Sequence, residues 1–271
     1  MTPEDFERLQ ALVLGRTGQR LARDRMKLAQ HRLAPVARRE GFDDASALLA
    51  GLWDKPVAST AWSVIEALLD PETWFRRDRD GFAVFADQLL PALSAARPGG
   101  RVRLWSAGCS TGQEAWSMAM AAAEKGVEAE VLATDLNRVS LERVRAAAYS
   151  GFEIQRGLSA RAMIRWFVRD EDRWVARQDL RDRVEVRRAN LLEPAPDGDR
   201  FDVIFCRHVL GTMDAQRRAL ALDNLERALA DDGCLFVGPD ESLSSDTVAF
   251  RPVAGRPGLY VKSHGALRRA A

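Results

Sequence analysis

The run Arg101–Ser117, RVRLWSAGCSTGQEAWS, constrains this chain more than any other stretch. A short strand-like segment ends in a glycine-bearing loop, and the loop opens into a helix at Gln113 and Glu114. Gly108 and Gly112 permit a turn with no Cβ in the way. The first turn of the following helix offers unpaired N–H groups, so the loop brings backbone close to a ligand. The spacing is neither GxGxxG nor GxxxxGK[ST], and no lysine is present to meet phosphates, which argues against a dinucleotide dehydrogenase or a phosphate-loop NTPase. Glu114 would repel a pyrophosphate and favour a cationic group such as a ligand amino group. The next strand ends in Asp135, where a carboxylate can accept hydrogen bonds from ribose hydroxyls. A ribose and an ammonium together point to S-adenosylmethionine; the competing reading is a structural turn followed by a surface acid.

From about Pro98 onward, short strand-like runs alternate with helical patterns, the mark of an α/β domain. Strands are expected at Val102–Ala107, Val131–Thr134, Val184–Val186, Phe201–Cys206 and Cys234–Val237. Helices are expected over 113–124, 138–148 and 214–230. Two closing strands, Val248–Val253 and Leu259–Lys262, predict an antiparallel edge. The stretch of about 148–183 is too long for a plain connection and reads as an insertion, with a helical piece at Ala160–Phe167 and isolated Trp174 and Val175. Residues 1 to about 55 carry helical spacing without strand-like alternation, and residues 1–70 form a small helical domain with its linker, ahead of a domain over 71–264 and a tail at 265–271. Thr2 before Pro3, Glu4 and Asp5 is a helix start. A second helix from Asp24 toward Arg39 should kink or break at Pro35, and a short third follows at Asp44–Leu52.

The 271 residues are 46% hydrophobic, enough for a sizeable core. Forty basic residues against 39 acidic give a formal +1, so no global field draws the molecule onto nucleic acid. No apolar run approaches the ~20 residues of a membrane span, and the first thirty residues are too charged for a signal peptide, which predicts a cytoplasmic protein without membrane insertion. Cys109, Cys206 and Cys234 are far apart and lack metal-ligand spacing, so reduced thiols and no metal site are expected. Between Arg16 and Arg39, eight basic residues face a single acid, Asp24. Arg25, Arg32 and Arg39 recur every seven residues, so an unbroken helix would align them on one face. That face is either solvated or a docking surface for an acidic partner.

The chain resembles the chemotaxis receptor methyltransferases, the CheR family, over nearly its whole length. The resemblance rests on SAGCSTGQEAWS at 106–117 (usually SAGCSTGEEPYS in the family), ATDL at 133–136, RRANLLEP at 187–194, FDVIFCRHVL at 201–210 and GPDESL at 238–243. ETWFRRD at 72–78 is similar to the family's ETxFFRD linker motif. It implies an N-terminal helical domain and a Rossmann-like class I methyltransferase domain that binds S-adenosylmethionine, releases S-adenosylhomocysteine, and carries a small β-subdomain as its insertion.

Carried over residue by residue, the resemblance places Thr73 and Arg77 facing the cofactor and Ala107 and Gly108 in the loop beneath it. Glu114 matches the acid for the methionine amino group, Asp135 the ribose acid, and Asn190 with Leu191 the pair beside the adenine. Arg77 is also matched to a catalytic position that can fix a carboxylate by a forked hydrogen bond. Five departures are expected to cluster around one pocket on the acceptor side. The family reads CRNVxIYFD where this chain has Cys206, Arg207, His208, Val209, Leu210, Gly211, Thr212, Met213 and Asp214. The catalytic tyrosine is therefore Thr212, with Arg76 or water as a replacement donor. Arg76 also replaces the second phenylalanine of the linker motif. His208, counted among the cofactor-binding positions, is expected to be a hydrogen-bonded replacement for an amide rather than a general base.

The function implied is protein-glutamate O-methyl transfer to chemoreceptor cytoplasmic helices, docked through Arg25, Arg32 and Arg39. The rival is a regulatory protein that binds S-adenosylmethionine or S-adenosylhomocysteine with little transfer. Family members tethered to a receptor tail peptide carry a glycine-containing loop in the β-subdomain. VRDEDRWVARQDLR at 168–181 has no glycine, which argues against tethering here.

Overall fold

The computed structural model describes residues 1–196, 200–243 and 247–264; the tail at 265–271 lies outside the described residues. The chain forms two compact units, one of Met1–Asp70 with Thr212–Arg217, the other of Pro71–Gly211 with the residues from Arg218 onward.

The first unit holds α1 (Pro3–Thr17), α2 (Met26–Arg39), α3 (Ala45–Asp54) and α4 (Ala58–Leu68). Thr2 closes a capping box with Asp5, each side chain satisfying the other's backbone N–H, and α1 stops at Gly18 with φ 75°. Phe6, Leu9, Leu33, Leu48, Val64 and Ile65 fill the core. α2 runs through Pro35 to Arg39, so the helix does not break there. Pro35 lies on the exposed side while Leu33, Val36 and Ala37 are buried, so packing of the apolar face holds the helix across the missing N–H. The segment from Thr212 joins this unit by backbone bonding: Arg20 N donates to Thr212 O at 2.8 Å and Asp214 N to Gly18 O at 3.1 Å, around a Gln19–Met213 bridge.

Arg25 precedes α2 in a 3-10 turn, and the expected row of three arginines is already partnered. Arg25 and Arg32 converge on Asp70 at 3.7 and 3.8 Å, and Arg39 meets Glu40 at 3.4 Å. These are exposed pairs, each contributing little to stability.

The second unit begins with α5 (Arg79–Val84), a π-turn at Phe85–Leu89 and α6 (Leu90–Ala96). There follow β1 (Val102–Ala107), α7 (Gln113–Glu124), β2 (Ala129–Asp135), α8 (Arg138–Ala146), β3 (Ala148–Ser150), α9 (Gly151–Gln155) and α10 (Ala160–Trp166). Then come β4 (Phe167–Asp170), β5 (Arg173–Ala176), α11 (Gln178–Arg181), β6 (Val184–Arg188), β7 (Phe201–Phe205), α12 (Ala215–Ala228), β8 (Leu229–Phe236), β9 (Phe250–Pro252) and β10 (Leu259–Lys262). The large sheet has the order β6-β2-β1-β7-β8-β10-β9. Its first five strands are parallel, and β10 runs antiparallel between β8 and β9. The order reverses beside β1, so the carboxyl ends of β1, β2 and β7 open onto one crevice, where ligands bind in such sheets. Phe82, Phe85, Phe205 and Phe236 pack edge-on beneath it.

Residues 148–176 supply a separate antiparallel sheet, β3-β5-β4, in which Trp174 and Val175 belong to the central strand. Phe75 of the linker is buried against this sheet, with ring centroids 5.2 Å from Tyr149 and 5.7 Å from Phe167. A Cβ on Gly157 would lie 1.8 Å from the Phe75 carbonyl oxygen, so only glycine lets α9 and its following turn close over the linker. Among the described residues, no helix is long and apolar enough to cross a membrane.

Candidate functional site

The loop after β1 is folded by its glycines. Gly108 sits at φ 83° and Gly112 at φ 95°, and a Cβ on Gly108 would stand 2.8 Å from Val209 Cγ2. Gly108 N and Cys109 N both donate to Thr134 O at 2.8 Å, tying the loop to the end of β2. Beside it, Asp135 accepts from Ser110 N at 2.8 Å and Asn137 N at 2.9 Å, one bond to each oxygen. A carboxylate accepts about four hydrogen bonds; these two orient it at the crevice. Burial pushes the Cys109 and Cys206 thiols well up, so both stay protonated and unreactive.

Glu114, in the first turn of α7, is buried and doubly held: Ser106 Oγ donates to Oε1 at 2.7 Å, and Arg207 Nε to Oε2 at 2.7 Å. Arg207 Nη1 also donates to Arg77 O at 2.7 Å and Asp78 Oδ2 at 3.0 Å. His208 Nε2 reaches the same Asp78 oxygen at 2.8 Å. Burial raises the Asp78 pKa, but the His208 hydrogen bond and the Arg207 charge outweigh it, and the carboxyl is held below its ordinary value. Asp78 is ionised, so the His208 nitrogen facing it carries the proton. Glu114, Arg207 and Asp78 thus form a largely buried group of two carboxylates and one guanidinium, with the Arg77 cation beside it.

Arg77 Nη1 donates to Glu72 O at 3.1 Å, and its guanidinium lies 4.1 Å from the Trp74 ring centroid. Arg156 lies 4.0 Å from the same ring. Arg77 Nε is buried without a hydrogen-bond partner, and burial lowers the pKa of the group. An orphaned cationic donor beside a carboxylate-rich cluster fits a ligand that brings both a carboxylate and an ammonium. The residues present therefore suit S-adenosylmethionine.

The remaining expected positions are distributed as follows. Thr73 is half-buried in the linker, and Ala107 is fully buried at the end of β1. Asn190 closes a turn after β6, accepting from Leu192 N at 3.1 Å, and Leu191 O accepts from Asn224 Nδ2 at 2.9 Å. Thr212 is exposed and its backbone is bonded to Arg20. The five departures are divided between the two units, Arg76, His208 and Gly211 in one and Thr212 and Met213 in the other. Arg76 donates to both oxygens of Glu124 at 2.8 and 2.9 Å, and Trp166 Nε1 joins the same carboxylate at 3.0 Å. That guanidinium is committed to α7 and α10 and does not stand in for a missing tyrosine. Met213 is buried at the Gln19 bridge. His208 N and Gly211 N meet a common group, the Glu241 carboxylate. Arg207, Asp78 and Glu241 escaped sequence reasoning as a network. The one available signal was their presence inside the CRH, RRD and DES motifs.

A mostly parallel seven-stranded sheet, a glycine loop after its first strand and an acid closing its second define a class I S-adenosylmethionine-dependent methyltransferase. Residues 71–259 match the model of the CheR methyltransferase SAM-binding domain, and the chain belongs to the CheR methyltransferase family. Chemotaxis protein methyltransferase Cher2 of Pseudomonas putida is 30% identical over 268 residues, covering 96% of this chain and 98% of that protein. Chemotaxis protein methyltransferase 1 of Pseudomonas aeruginosa is 30% identical over 270 residues, covering 96% and 97%. Among solved structures, a TehB-like SAM-dependent methyltransferase from Corynebacterium glutamicum is similar with a TM-score of 0.39 and 17% identity, covering 67% of this chain and 87% of that one. The cofactor is S-adenosylmethionine.

Proposed function

We propose that this methyltransferase acts in chemotaxis as a cytoplasmic protein-glutamate O-methyltransferase of chemoreceptor helices. The observation that carries the carboxylate as acceptor is the buried Arg77 Nε, a cationic donor without a hydrogen-bond partner that an anionic group can satisfy. A glutamate needs no base, because it is already anionic at neutral pH.

S-adenosylmethionine supplies a methyl group activated on a sulfonium. What the chain supplies is alignment and partial desolvation of the nucleophile. Asp135 is the ribose acceptor, Asn190 and Leu191 flank the adenine, and Glu114 receives the amino group. Arg77, with an unspent buried donor, orients the carboxylate. Thr212 retains a hydroxyl where the resembling enzymes have a tyrosine, with shorter reach. Docking on acidic receptor surfaces falls to Arg25, Arg32 and Arg39.

Labelled cofactor incubated with a receptor cytoplasmic fragment should give a base-labile label, the mark of a methyl ester. A folded protein that binds cofactor yet leaves no such label would overturn this reading in favour of a regulatory binding protein.

A further inference from the structure

Glu241 lies on the loop after β8, outside every residue matched to cofactor or acceptor. Its carboxylate accepts three backbone N–H groups: His208 N at 2.7 Å and Gly238 N at 2.7 Å on Oε2, and Gly211 N at 2.8 Å on Oε1. Each is a charge-assisted bond, stronger than its neutral counterpart. The glycines at both flanks are what allow the approach. A Cβ on Gly238 would come within 3.0 Å of Oε2, and one on Gly211 within 3.2 Å of Oε1.

The clamp also holds an otherwise unfavourable backbone. His208 sits at φ 60°, a left-handed conformation that a residue with a Cβ seldom adopts. Fixing His208 N to Glu241 sets the direction of the imidazole toward Asp78, and Asp78 with Arg207 fixes the linker carrying Arg77. A continuous line of contacts therefore runs from Glu241 to Arg77. We infer that Glu241 is a positioning residue for methyl transfer, clamping the turn at His208–Gly211 and, through His208 and Asp78, setting the Arg77 linker.

The inference rests on the glutamate-methyltransferase reading, and the test separates the two. The full chain and its Glu241→Gln variant are compared for cofactor affinity by calorimetry, for methyl transfer from labelled S-adenosylmethionine to a receptor cytoplasmic fragment, and for amide hydrogen exchange. The substitution keeps the shape of the side chain but removes its charge and places an amide donor against a backbone N–H. Expected is a fall in kcat of about 10- to 100-fold, the scale of small misplacements around a reacting centre, exceeding any change in cofactor Kd. Amides of His208, Gly211 and Gly238 should exchange faster, while those of Gly108 and Cys109 keep their protection. A wild-type protein without transfer overturns the parent reading. An active wild type with a Glu241→Gln kcat within about twofold overturns the positioning role, as does a loss confined to stability and cofactor affinity.

Discussion

Arg207 Nε donates to Glu114 Oε2 at 2.7 Å, joining the turn after β7 to the first turn of α7 across the crevice. With its side chain 4% exposed and Glu114's 10%, this is an ion pair taken almost wholly out of water. Such a pair is costly to break on one side only, because the abandoned charge remains buried.

Arg207→Met should therefore destabilise the fold by about 3–5 kcal/mol, since Glu114 and Asp78 both lose their cation. Urea denaturation monitored by tryptophan fluorescence reads this directly. A loss below about 1 kcal/mol would place the pair among exposed ones of small effect.

Acid should act through Asp78. Its folded-state pKa is depressed, so its contribution is fully present above the ordinary value of 3.8 and disappears as pH falls through the lower folded value. The stability gap between the wild type and Asp78→Asn is expected to be widest at neutral pH and to close below that value. A gap constant with pH would show that the carboxyl titrates alike in both states.

Asp135→Ala should weaken cofactor binding by about 1–3 kcal/mol, the scale for leaving buried polar groups unpaired. Calorimetry measures it; an unchanged affinity would return Asp135 to a local role capping Ser110 and Asn137.

Thr212→Tyr is expected to leave stability within about 0.5 kcal/mol, as for surface substitutions generally, because Thr212 is exposed. His208, Met213 and Arg76 are each engaged by other partners. Turnover should rise. A lowered melting temperature would mean instead that neighbouring side chains have refilled the space.

Docking through Arg25, Arg32 and Arg39 should weaken with added salt, since exposed charges are screened over ~8 Å at physiological ionic strength. Asp70 already draws Arg25 and Arg32. Asp70→Asn should tighten binding to an acidic receptor fragment, whereas reversing two of the arginines should weaken it. Insensitivity to all three treatments would leave a solvated face.

Strand β1 was legible to the residue because a short strand-like run led straight into a glycine turn. β4 was not, because Val168, Arg169 and Asp170 are all exposed and no buried face writes itself into the pattern. The helices α4 and α5 flank a linker whose identity comes from tertiary packing of Phe75, a contact with residues far along the chain. In the site, Gly108, Glu114 and Asp135 could be read because one supersecondary unit carries their order. The joining of Glu114 to Arg207 and of His208 to Asp78 could not, since those partners stand 93 and 130 positions apart. Arg76 misled for the same reason: its charge is answered by Glu124, 48 positions along the chain and adjacent in space.

The backbone bonds from Gly18 and Arg20 to the stretch at Thr212–Asp214 give the helical unit a topology that no single cut can respect. The polypeptide enters that unit at its start and returns to it a second time, late in translation, to complete it. A shortened chain beginning at Pro71 would strand Met213 without the strand partner that buries it, and residues 1–70 expressed alone would lack their final ladder rung. Such a helical module is not a cassette to be swapped between relatives at one junction. Chimaeras that exchange it must carry residues 212–217 across as well.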